Sequence, residues 1–139
     1  MTNAQHLMLS CLVLVGLAFA VGSRMLFCRV REMRSKRVHP QAAATRAQMS
    51  ERLQDTQAAD NFQNLFETPV LFYALCAMAM AQQRMPDWLV AGAWAYVSLR
   101  VVHTLIHCTY NRVMHRLAAF LASFVLLVIL WAAWVISGL

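Results

Sequence analysis

This chain of 139 residues is 60% hydrophobic and 13% charged, with four glycines and three prolines. Such a balance excludes an ordinary soluble domain and leaves a small all-α integral membrane protein as the class that fits. The formal charge of +6 at pH 7 comes from basic residues crowded between the apolar stretches, so it reads first as a topology signal.

The first apolar stretch, Leu7 to Gly22, predicts a helix over about residues 3–30. Met1 to His6 lacks a basic start, and the strong positive charge follows the apolar run. The segment therefore reads as a membrane span with a stop-transfer flank rather than a cleavable signal. Arg24, Arg29, Arg31, Arg34, Lys36, Arg37, Arg46 and Arg52 all lie between the first and second spans. Beside a membrane span this basic run marks the cytoplasmic side, and no nucleic-acid partner is expected. His39-Pro40 and the alanine-rich run after it form a linker, because Pro40 forbids a helix running straight through.

The second span is predicted over about residues 53–84, with Glu51 to Ala59 as its polar lead-in. Its uninterrupted apolar run, Thr68 to Ala81, covers only about 21 Å of a hydrocarbon core about 30 Å thick. To cross, this helix must carry polar residues some way into the bilayer, where they read by default as a functional site. Thr68-Pro69 predicts a kink just beyond Glu67. Met85-Pro86-Asp87 makes an outer turn, and the third and fourth spans follow over about residues 87–110 and 113–137. Arg112 and Arg116 flank the turn between them. Both basic connections are then cytoplasmic and both termini lie on the other side. Trp88, Trp131 and Trp134 fall near the outer interface, as an aromatic belt would. Cys11, Cys28, Cys76 and Cys108 have no metal-type or CxxC spacing and read as small packing residues.

Two polar stripes stand out. Gln57, Asp60, Asn64 and Glu67 recur at spacings of three and four on the second span, and Arg100, His103, His107 and Tyr110 do so on the third. Counting outward from the Met85 turn sets Glu67 level with about His103, Asn64 with Ile106 and Asp60 with Tyr110. Arg116 enters at the same level from the fourth span. An acidic, amide-bearing face and a cationic, imidazole-bearing face at one depth suggest a water-filled cleft for a polar, partly anionic molecule, whose carboxylates arginine forks can grip. The plainer reading is a structural network in which Glu67 pairs with Arg100. His103 and His107 could ligate a metal from one helix face, but no opposing histidine pair supports it, and no metal is expected.

At these residues the chain resembles the MAPEG family, membrane-associated proteins in eicosanoid and glutathione metabolism. Asn64-Leu65-Phe66-Glu67 with Pro69 just beyond is similar to the family's N-x-x-E signature on the second helix. Arg100-Val101-Val102-His103-Thr104 is similar to the R-x-x-H-T that opens the site face of the third helix in the prostaglandin branch. The resemblance implies a four-helix bundle assembled as a homotrimer in a membrane, here a bacterial-type inner membrane, with glutathione as co-substrate and a lipophilic small molecule as substrate.

Residue by residue, the resemblance implies that Asn64 and Glu67 hold the peptide part of glutathione, with Arg100, His103 and His107 lining the same pocket. Arg29 or Arg31 would meet a carboxylate or the thiol end, and Arg116 would stabilise the thiolate as the catalytic residue. Two positions depart from the pattern. Asp60 stands where well-studied members carry an arginine, reversing a charge expected to bind a glutathione carboxylate. His107 stands where the family often places tyrosine. The competing expectation is a non-catalytic scaffold or binding protein on the same fold, its charged groups closed into an ion-pair network.

Overall fold

A computed structural model describes residues 1–43, 45, 48, 49, 51 and 57–138. Arg46, Arg52 and the first residues of the expected second span lie outside the described residues. Among those described, four helical segments are long and apolar enough to cross a membrane: Asn3–Ser35, Gln57–Ala81, Asp87–Cys108 and Val113–Ile136.

Helix α1 spans Asn3–Ser35 and is N-capped by Thr2, whose hydroxyl accepts from the Gln5 amide while the Gln5 side chain accepts from the Thr2 amide. At 33 residues it is about 50 Å long, well beyond the hydrocarbon thickness, so its basic end projects from the bilayer. The helix outlasts the apolar run on which the expected end near residue 30 was based. A Glu32–Lys36 ion pair at 2.6 Å, one turn apart, supports the last turn. Arg37 then turns the chain with φ of 51°, and Pro40–Ala43 forms a short 3-10 turn.

The second span is two helices, α2 (Gln57–Asn64) and α3 (Thr68–Ala81). The interruption falls at Leu65 to Glu67, just before the place where a kink was expected. Pro69 is the cause: it has no N–H to donate to the Leu65 carbonyl, and its ring crowds that carbonyl, so the disturbance lies on its N-terminal side. Helices α4 (Asp87–Cys108) and α5 (Val113–Ile136) complete the bundle. Left-handed backbone at Gln83 and Asn111 makes the two tight turns.

Helices α4 and α5 share the most extensive seam, and α1 packs across α2, α3 and α4. Gly92 lies under Leu130, where a Cβ would sit 2.3 Å from Leu130 Cδ2, so any side chain there must displace the end of Leu130 from the α4–α5 seam. Phe72 of α3 stacks on Tyr96 of α4 with ring centroids 4.7 Å apart, in the middle of the main apolar core.

Polar clamps close the end of the bundle that holds the N-terminus and the Met85 turn. Asn3 Nδ2 donates to the Met85 carbonyl and to Asp87 Oδ1, both at 2.8 Å. Trp134 is buried and donates its indole N–H to the Arg84 carbonyl at 3.1 Å. The Arg84 guanidinium covers the Trp134 ring and bonds the Trp134 carbonyl. Trp131, half-buried, donates to the Leu71 carbonyl at 3.2 Å on the exposed side of the bundle. Of the three tryptophans expected in an interfacial belt, Trp88 is exposed, whereas Trp134 serves the core.

Candidate functional site

Spacing along α4 sets Tyr96, Arg100, His103, Thr104 and His107 on one buried face. Arg100 is 0% exposed, yet no carboxylate among the described residues reaches ion-pairing distance. Its Nη2 donates instead to the backbone carbonyl of Asn64 at 2.8 Å. That carbonyl closes α2, and the interruption of the helix after it removes the helical N–H it would otherwise accept. Arg100 therefore caps the broken helix, a favourable place for a cation. Its Cζ also lies 5.8 Å from the centroid of the Phe120 ring on α5.

One turn further on, His103 donates Nδ1–H to the Arg116 carbonyl at 3.1 Å. Arg116, in the first turn of α5, donates Nη1–H to both His107 Nε2 and Asn111 Oδ1, each at 3.0 Å. Because a guanidinium can only donate, His107 must accept through Nε2 and carry its proton on Nδ1. The two imidazoles meet edge to face, 5.6 Å between centroids. Several polar atoms here are buried without a protein partner: Arg100 Nε and Nη1, His103 Nε2, Thr104 Oγ1 and His107 Nδ1. Water or a small polar solute is what normally satisfies such atoms.

The second span contributes differently from the expected stripe. Asp60 and Glu67 are exposed on the surface of the single chain, Gln57 and Asn64 are half-buried, and Asn61 takes the inner position at 0% exposure. Glu67 accepts from Gln63 Nε2 at 3.0 Å rather than pairing with Arg100. Asn61 Nδ2 donates to Cys108 Sγ at 3.4 Å, and its Oδ1 has no protein partner. The charges of the two helices still lie within electrostatic reach, Glu67 of Arg100 and Asp60 of His107. Among the described residues, the second and third spans meet within one chain without the expected open, polar cleft between them. Side-chain packing closes that seam, because Asn61, Leu65 and Thr68, not the carboxylates, face α1 and α4.

Among the described residues an apolar cavity opens elsewhere. A lateral groove of about 390 Å³ lies between α1 and the broken second span, walled by Val15, Phe19, Leu26, Phe62, Leu65 and Phe66 among others. Phe62, Leu65 and Phe66 come from the same two turns as Asn64 and Glu67, so the break sets an apolar wall directly beside an amide and a carboxylate. At the end of α1, Arg29 is half-buried and Arg31 exposed. Arg116 is half-buried, and apart from Nη1 its N–H groups have no protein partner among the described residues. No three His, Cys, Asp or Glu side chains among the described residues come together as a metal site would need.

Asn61 and the outward turn of Asp60 and Glu67 were missed by counting polar residues. The signal lay in the apolar ones: Ala58, Leu65, Phe72 and Ala79 repeat at seven, and Asn61 and Thr68 fall on that seam.

Comparison with known proteins adds one match. A family model described as the MAPEG family matches residues 7–136, nearly the whole chain. No curated protein and no solved structure matches.

Proposed function

Since the chain belongs to the MAPEG family, we propose that it is a membrane-bound, glutathione-dependent transferase or peroxidase acting on a lipophilic electrophile. The observation that carries this reading is the break at Leu65 to Glu67, which joins an apolar, bilayer-facing groove to an exposed polar rim. An apolar substrate enters the groove from the lipid, and glutathione reaches the rim from the aqueous side.

Asn64 and Glu67 are the rim groups suited to the peptide part of glutathione, Glu67 taking its amino group. Arg100 and His103 are enclosed, so they act through what they hold: Arg100 fixes the Asn64 carbonyl and hence the shape of the break, and His103 fixes the backbone of Arg116. His107 and Asn111 anchor one nitrogen of Arg116 and leave its other donors for an anion. A guanidinium beside a thiol favours the thiolate, the reactive nucleophile. The sulfur then bonds to the electrophilic atom as the leaving group departs. Arg29 and Arg31 remain the alternative cations from α1.

Exposed carboxylates at Asp60 and Glu67 are costly against lipid. Their position supports covering by further copies of the chain, the homotrimer that the family resemblance implies, with the site at the junction. By the distribution of basic residues, the α4–α5 turn faces the cytoplasm, across an inner membrane, with both termini opposite.

The test is thiolate absorbance of glutathione with purified protein. Arg116→Ala should abolish it while leaving the assembly intact, whereas absorbance equal to wild type removes Arg116 from the role. One observation favours a second reading, a non-catalytic scaffold: the inner cations are already engaged by Asn64, Asn111 and His107. On that reading wild-type protein shows no glutathione thiolate either.

A further inference from the structure

The basic end of α1 carries much of its charge on one side. Gly16, Ala20, Arg24, Phe27, Arg31 and Arg34 recur at spacings of three and four, which keeps them within about 80° of arc on an α-helix. All six are exposed. A topology signal needs basic residues beyond one surface of the bilayer, but it does not need them on one face of a helix. Arg29, about 140° round the helix from Arg24, is half-buried instead, and the Glu32–Lys36 pair also lies off this face. No acidic side chain among the described residues pairs with Arg24, Arg31 or Arg34.

Depth sorts the stripe into two parts. The apolar run of α1 ends at Gly22, so Arg24 stands at the edge of the hydrocarbon. Arg31 and Arg34 lie roughly 10 and 15 Å further along the axis. In the other direction, Ala20 and Gly16 reach roughly 12 Å below Arg24, most of one leaflet's apolar depth of about 15 Å. A Cβ built on Gly16 meets nothing within 4 Å. Small exposed residues thus leave a shallow track on the helix surface, where an acyl chain can lie close to the backbone. Phe27, 67% exposed, adds an apolar contact at the level of the lipid headgroups.

We propose that this face of α1 binds an anionic phospholipid of the leaflet at the basic end. The arginine forks hold the headgroup phosphate, and Arg24 reaches it by running its apolar stem out of the hydrocarbon. An acyl chain of the same lipid lies along Ala20 and Gly16. Charge complementarity selects the occupant: a zwitterionic lipid brings the same phosphate with a cation attached, which three guanidinium groups repel.

The test is native mass spectrometry of the detergent-purified full chain, titrated with phosphatidylglycerol or with phosphatidylcholine of the same acyl chains. Wild type should retain phosphatidylglycerol at a several-fold lower concentration. A cation beside anionic lipid contributes a factor of about five, so Arg24→Gln combined with Arg34→Gln should weaken that retention about twenty-fold. Arg31 is left unchanged, since it is also an alternative cation for glutathione. Arg112→Gln removes an exposed charge from the α4–α5 turn and should leave retention as in wild type. Equal retention of the two lipids by wild type overturns the proposal. So does a double variant that binds like wild type, or a loss in Arg112→Gln as large as in the double variant. Soluble glycerol phosphate that competes as well as the lipid makes this a free-phosphate site and overturns the lipid. A benzophenone photoprobe in place of Ala20 should capture lipid, whereas capture of a second copy of the chain makes the face a subunit contact and overturns it too. Should a variant fail to fold, the wild-type lipid comparison alone decides.

Discussion

Replacing His107 isolates the anchoring of Arg116 from its charge. Arg116 Nη1 donates to His107 Nε2 and to Asn111 Oδ1, both at 3.0 Å. His107→Phe removes one acceptor and keeps a ring of similar bulk; His107→Gln keeps an acceptor oxygen on a flexible arm. A hydrogen bond to a charged group contributes about 1.5–3 kcal/mol, and because Asn111 still holds the same nitrogen the low end applies. If that anchoring is what aims the guanidinium at a glutathione thiol, its loss weakens the thiolate by about 1.4 kcal/mol, roughly tenfold. The thiolate titration of bound glutathione should therefore move up by about one pH unit in His107→Phe and stay near wild type in His107→Gln. Absorbance against pH reads the shift, and thermal unfolding of the same samples checks that the fold is intact. Identical titrations in Phe, Gln and wild-type proteins would refute the anchoring role.

Two further substitutions test the packing that positions the site. Gly92→Ala drives a Cβ into Leu130 and should cost about 1–3 kcal/mol by overpacking, read as a lower unfolding midpoint. Adding Leu130→Ala should recover part of that loss, a non-additivity that a double-mutant cycle detects. Asn61→Asp should destabilise by several kcal/mol, since it buries a carboxylate whose amide predecessor is 0% exposed and partnered only through Cys108, while Asn61→Leu should cost much less.

The four spans were legible because apolar run length and the crowding of basic residues follow directly from bilayer physics. How far α1 continues into the basic segment was not, because beyond the apolar run the helix is supported by local pairing such as Glu32–Lys36, which hydropathy does not register. Pro69 was readable as a disturbance, but its effect reaches back to the carbonyl four residues earlier, so the break runs from Leu65 to Glu67 rather than beginning beyond Glu67.

The cationic half of the site was more legible than the acidic half. Arg100, His103 and His107 share the face that their spacing on an unbroken helix dictates. On the second span the polar residues at spacings of three and four looked like an inward stripe, yet the apolar seam through Ala58, Leu65 and Phe72 set the rotation and turned Asp60 and Glu67 outward. Burial of apolar area outweighs polar pairing in fixing a helix's rotation when both compete. The partner of Arg100 is a backbone carbonyl, and no side-chain pattern could announce it.

Thermal unfolding of the purified protein against glutathione concentration, wild type beside Asp60→Arg, bears most directly on whether this rim is a glutathione site. A ligand that binds only the folded state stabilises it by about 2.7 kcal/mol at a hundred times its Kd. The wild-type midpoint should climb with millimolar glutathione. In Asp60→Arg the same climb should start at several-fold lower concentration, since an exposed charge reversal exchanges repulsion for attraction worth about 0.2–1 kcal/mol each. Midpoints that stay flat for both proteins across that range would contradict the account.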